Sequence, residues 1–157
     1  MTTPADYTET ELNTLRQAVI MSGHAVVFCE FTIVSMGIEI DALGKEIKGA
    51  ARNYPNSPLI QKLFANYTDN PDGSEQESPA EITPEHILES ALGLIRQALV
   101  ILRDKATPAE IQEYKQFVYS CADRVANAAG EGLFGTGEKV SRKEAATLRE
   151  LKVALGL

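Results

Sequence analysis

Apolar residues surround the helix cylinder in only one stretch of the chain, Val19 to Ile38, which reads VIMSGHAVVFCEFTIVSMGI. At about 100° per residue, Ile20, Val27, Phe28, Phe31, Val34 and Ile38 share one face, Val26 and Ile33 flank it, and Ala25 lies on the back. A helix apolar on most sides is covered by several neighbours, so this segment is expected at the centre of the fold. It does not read as a membrane span. His24 and Glu30 interrupt it and its longest unbroken apolar run is Ala25 to Cys29, whereas a span needs about 20 mostly apolar residues.

Elsewhere the apolar positions recur at helical spacing, bounded by start and stop signals. Thr8 followed by Glu11 is a capping-box pattern that opens a first helix through Leu12, Leu15 and Val19. The sequence leaves open whether that helix continues through Ser22 and Gly23 into the central one, which Gly37 would end. Asp41 is placed to cap a helix from Ala42 to about Asn53 with Leu43, Ile47 and Ala50 on one face. Pro58 at a first helical position predicts a short helix with Leu59, Ile60, Leu63 and Phe64 inward. Thr83-Pro84 starts a helix to about Lys105, its inward stripe Leu88, Ala91, Leu92, Ile95, Leu99 and Leu102. Thr107 and Glu110 form a second capping box, opening a helix to Gly130 with Ile111, Tyr114, Val118, Cys121, Val125 and Ala129 on one face; the short link makes these two helices an antiparallel hairpin. Ser141 and Glu144 form a third box, before Ala145, Leu148, Leu151 and Leu155. No strand pattern interrupts this series. The expected fold is all-α: one domain, residues 1 to 157, a compact bundle of about six helices around the central apolar one, in two pseudo-related halves.

Composition sharpens this picture mainly through charge. With 157 residues, 44% hydrophobic and 24% charged, the chain can bury a real core. Its net charge is −7, and between Lys62 and Arg96 there is no Lys or Arg while Asp69, Asp72, Glu75, Glu77, Glu81, Glu85 and Glu89 supply seven acids. Thr68 to Thr83 reads as an acidic surface loop between the halves. Such a balance argues against nucleic acid and membrane surfaces as partners and leaves basic proteins or cations. MTTPADYTETE has neither a basic nor an apolar leader region, so a cytoplasmic location is expected. There, Cys29 and Cys121 are expected as core filler rather than a disulfide.

Few residues carry chemistry. His24 lies on the strongest apolar face and is expected as a buried histidine bonded to a backbone carbonyl; without a partner cluster it makes no site. Glu30, a carboxylate in a buried helix, calls for a partner, with Arg52, Arg96 and Arg124 as candidates, or for exposure at a seam. Gly130-Glu-Gly-Leu-Phe-Gly135 satisfies G-x-G-x-x-G, but a helix precedes it where the dinucleotide fingerprint needs a strand, so it reads as a helix end and a connection. Asn70-Pro-Asp-Gly73 puts Pro79 where a calcium loop requires its bidentate glutamate, and reads as a turn. His86 with Glu89 is a single solvent-directed pair, short of the set a di-iron bundle needs. No catalytic constellation is seen.

Gly135 to Glu144, with Leu148, Leu151 and Leu155-Gly156-Leu157, resembles the C-terminal helix of the TerB-like, tellurite-resistance-associated helical proteins. Ser35 to Glu46 looks like a degenerate first copy of the same unit. The resemblance implies a compact all-helical domain of two related halves, with acidic loops associated with metal binding and members associated with stress responses. Met36 and Thr136 stand where the family has loop aspartates. Glu39, Asp41, Glu131 and Glu138 remain as candidate oxygen ligands for a divalent cation if the two loops meet; otherwise Ile40 and Val140 plug the core while Asp41 and Ser141 cap helices. The primary expectation is a non-enzymatic cytoplasmic module that binds another protein or itself, without a resident cofactor. A divalent-metal-binding stress protein is the alternative, and a small-molecule carrier or enzyme comes third.

Overall fold

The computed structural model describes residues 6–29, 43–45, 47–49, 52–64, 84–132 and 142–157, and the regular structure among them is helical. Five helices are delimited: α1 (Glu9–Val27), α2 (Pro58–Phe64), α3 (Pro84–Lys105), α4 (Pro108–Gly132) and α5 (Arg142–Leu155). The described residues between 43 and 53 add further helical backbone. The all-α bundle is thus as the periodicity predicts.

Local chemistry fixes the helix starts. The Glu11 carboxylate accepts the Thr8 N–H at 2.8 Å, and Thr8 Oγ1 accepts the Glu11 N–H at 3.2 Å. The same exchange opens α4, where Glu110 accepts from the Thr107 N–H at 2.8 Å and Thr107 Oγ1 from the Glu110 N–H at 3.3 Å. Each box satisfies two donors that a helix start leaves open. The end of α5 is a Schellman motif: Gly156, at φ 69°, donates its N–H to the Val153 carbonyl, and Leu157 donates to that of Lys152. Ser141, the proposed cap of α5, lies outside the described residues.

Long-range contacts set the directions. Lys105, the last residue of α3, reaches Glu11 in the first turn of α1 at 2.6 Å, so these helices run antiparallel. The Tyr114 hydroxyl donates to the Leu15 carbonyl at 2.7 Å, which sets α4 beside α1 with both starting at the same end. Lys152 Nζ stands 5.7 Å from the centre of the Tyr119 ring, and Gly156 backs onto Lys115, so α5 descends antiparallel to α4. α1 packs against α2, α3, α4 and α5, most extensively against α3 and α4. Although only two residues separate α3 from α4, they touch each other little, and α1 and α5 each pack against both. The predicted hairpin is therefore splayed: its two apolar faces are served better by a helix on either side than by each other.

The central helix is real, but its limits differ from those the sequence suggests. α1 is continuous from Glu9 through Ser22 and Gly23, and stops at Val27 rather than near Gly37. Its end tightens into a shorter turn, the Cys29 N–H bonding to Val26 at 3.4 Å. Leu15, Ala18, Val19 and Val26 are fully enclosed, and Ala25 on the supposed back is buried as well. Ile20 and Phe28, assigned to the principal face, are only half-buried. Gly23 sits in close packing: a Cβ there would come within 2.5 Å of the buried Leu43 side chain, which would have to shift. Ser22, buried mid-helix, turns its hydroxyl back to the Ala18 carbonyl at 2.6 Å.

Other inward stripes are shifted in phase. In α3 the buried line is Ile87, Ala91, Ile95, Ala98 and Leu102, while Leu88, Leu92 and Leu99 flank it half-buried. Two alanines on that line let α3 approach its neighbours closely. α4 buries Phe117, Ala122 and Ala126 beside the expected Tyr114, Val118, Cys121 and Val125, and it runs to Gly132 rather than ending at Gly130. In α5, Leu148, Leu151 and Leu155 are buried with Glu144 and Thr147, but Ala145, expected inward, is exposed, since it lies about 100° from Glu144 around the helix. The Leu59, Ile60, Leu63 and Phe64 face of α2 is buried as expected.

Tyr114 joins the two central helices and sets an alkaline limit. Its phenol is fully buried, and burial pushes its pKa far above the ordinary value, with a smaller push from Cys121. The unfolded phenol ionises near pH 10 while the folded one stays neutral, so this stability is complete below about pH 10 and is lost as pH rises beyond it. Tyr114→Phe should lose about 1 kcal/mol in urea melts at neutral pH, the worth of one buried hydrogen bond. The same variant should unfold less steeply than the parent above about pH 10.

Candidate functional site

Among the described residues, His24 is the titratable side chain within the apolar part of α1, from Val19 to Val27. Its ring is half-buried rather than enclosed, and it stands edge-on to Phe28 with centroids 6.0 Å apart and planes at 83°. Among the described residues its imidazole takes no hydrogen bond, so the expected carbonyl partner is replaced by a ring. Burial holds its pKa below the ordinary 6.5. Folding therefore favours the neutral ring; its contribution is complete above about pH 6.5 and is lost as pH falls below that. Between about pH 7 and pH 5 the parent should lose more stability than His24→Leu, read as the difference in urea midpoints.

The candidate cation ligands are not brought together by anything described. Glu39, Asp41 and Glu138 lie outside the described residues, as does Glu30; Glu131 falls in the last turn of α4, but its side chain lies outside them too. The acidic loop from Thr68 to Thr83 and the plug residues Ile40 and Val140 are likewise outside. Arg52, Arg96 and Arg124, the candidate partners of Glu30, are exposed. Among the described residues no three His, Cys, Asp or Glu side chains are grouped to hold a metal ion. His86 and Glu89 are both exposed on the first turns of α3. No disulfide joins Cys29 and Cys121, the first half-buried with its Sγ 3.0 Å from the Val26 carbonyl, the second in the core.

One polar cluster among the described residues is of a kind that local pattern could not show. Lys105 Nζ donates to the Glu11 carboxylate at 2.6 Å and to the Asp6 carbonyl at 2.9 Å, and stands 5.5 Å from the centre of the Tyr7 ring. The Lys105 hydrogen bond, followed by the Thr8 backbone, holds the Glu11 carboxyl below the usual range. Burial, then the charges of Glu110, Asp6 and Glu11, pushes the Tyr7 phenol up to about 12. Three carboxylates thus surround one neutral phenol, and one ammonium joins them. The cluster ties residues 6–8 to the turn between α3 and α4, a structural role rather than an open site.

What remains open is on the outside of α3 and α5. Val100 is 56% exposed, Val153 73% and Leu157 37%. Along α5, Arg142, Ala146, Arg149 and Val153 recur at i, i+4, i+7 and i+11, all exposed, opposite the buried Glu144, Leu148, Leu151 and Leu155. This second stripe is written in the sequence as plainly as the first, but small and charged residues do not register as an apolar period. No helix among the described residues is long and apolar enough to cross a membrane. No protein-family model, curated protein or solved structure matches this chain.

Proposed function

We propose that this chain is a non-enzymatic helical interaction module that works in the cytoplasm by presenting outer helix faces to another protein. The observation that supports it is Val153, an aliphatic side chain 73% exposed on a helix whose inner face is already committed to the core. Val100 on α3 and Leu157 after α5 add apolar surface. A photo-reactive amino acid placed at Val153 or Val100 in living cells tests this. Discrete adducts at those sites, absent when the probe replaces the exposed Asn13, are expected; no adduct at either valine contradicts the reading. An adduct of twice the chain mass makes the partner a second copy. The TerB-like resemblance supplies the alternative, a divalent-cation protein. Stabilisation by calcium, magnesium, manganese or zinc at millimolar concentration, lost in Glu39→Gln and Glu138→Gln, would establish that alternative instead.

A further inference from the structure

Resting on that reading, we propose that the outward face of α5 docks an acidic protein segment in which an aliphatic side chain lies among carboxylates. Around the helix axis Arg142, Ala146 and Arg149 fall within about 40° of Val153, and Lys143 and Lys152 stand to either side. The face thus alternates cation and apolar residue along its length, with Glu150 as its only exposed acid. Among the described residues Arg142, Lys143 and Arg149 make no ion pair, and Lys152 is engaged only with the face of Tyr119. Four exposed cations against one anion is the reverse of a chain carrying −7 overall.

That reversal selects the occupant. Exposed charges act over about 8 Å at physiological salt, so a segment lying on α5 meets the local cations, while a long polyanion also meets the acids elsewhere on the molecule. DNA, RNA and anionic membrane are thereby disfavoured. Positions i, i+4, i+7 and i+11 form the row that a second helix or an extended segment packs along. Ala146 and Ala145 leave room for its backbone beside the exposed Val153, and the arginine guanidinium groups match carboxylates in pairs.

A random dodecapeptide display library, selected on the full chain at physiological salt, tests the proposal. Enriched peptides should be acidic with an aliphatic residue. Their binding should fall about tenfold or more in Arg149→Glu with Val153→Asp, and should weaken steeply with added salt. Both positions are exposed, so circular dichroism melts of that variant should match the parent. Peptides that bind parent and variant equally overturn the α5 assignment and leave the interaction reading standing. No enrichment at all overturns both. Stronger binding of a short DNA duplex or of phosphatidylserine vesicles, lost in the same variant, overturns the acidic-segment assignment, as does a dimer of the chain that the variant dissolves.

Discussion

Leu15→Asp is expected to leave the chain unfolded at room temperature. Leu15 is fully enclosed on α1, and its carbonyl receives the Tyr114 hydroxyl, so the position faces α4 across the centre of the bundle. A carboxylate there must either be buried without water or force the helices apart, and the cost of several kcal/mol rivals the whole stability of a domain, about 5–15 kcal/mol. Leu15→Ala, which leaves a cavity without adding charge, should lose about 2–5 kcal/mol. Asn13→Asp is the control. Two residues away and exposed, it should change stability by about 0.5 kcal/mol or less. Far-UV circular dichroism with urea titration distinguishes the three; a Leu15→Asp chain that melts like the parent would mean that α1 is not enclosed.

Phe117→Ala should be the most damaging single truncation outside α1. The ring is fully buried, meets Tyr54 edge-on at 5.3 Å and 82°, and meets Phe64 at 5.4 Å and 50°. Removing it forfeits the burial of a large ring, leaves a cavity and breaks two aromatic pairs, for a loss of about 3–5 kcal/mol. Because both partner rings come from the stretch 52–64, the damage should concentrate there. Amides of α2 should exchange sooner in Phe117→Ala than those of α1, whereas Phe117→Leu should cost about 1.5 kcal/mol or less. Equal loss of protection across the molecule would place the ring in the general core rather than in a clasp on this stretch.

These residues also mark where sequence reading succeeds and where it stops. Thr8 with Glu11, Thr107 with Glu110, and Pro58 fix helix starts through bonds to neighbours three residues away or through a ring constraint, so local text suffices. Phase is less accessible. Leu88, Leu92 and Leu99 are larger than Ala91 and Ala98, yet the alanines lie nearer the axis of contact, because close approach of two helices favours small residues. The approach of Leu43 to Gly23, the three contacts of Lys105 and the clasp around Phe117 join residues far apart in the chain. No local window contains both partners. The candidate cation ligands Glu39, Asp41 and Glu138 lie outside the described residues. The outward stripe of α5 runs from Arg142 to Val153 in the sequence, but its small and charged residues carry no apolar period.

Hydrogen exchange along α1 tests the central claim, that one apolar helix is wrapped by the others. Backbone amides from Leu15 to Val26 should exchange only through global unfolding, with the free energy that urea titration gives for the whole chain. Exchange of those amides at a small fraction of that free energy, as for exposed helical turns, would contradict it.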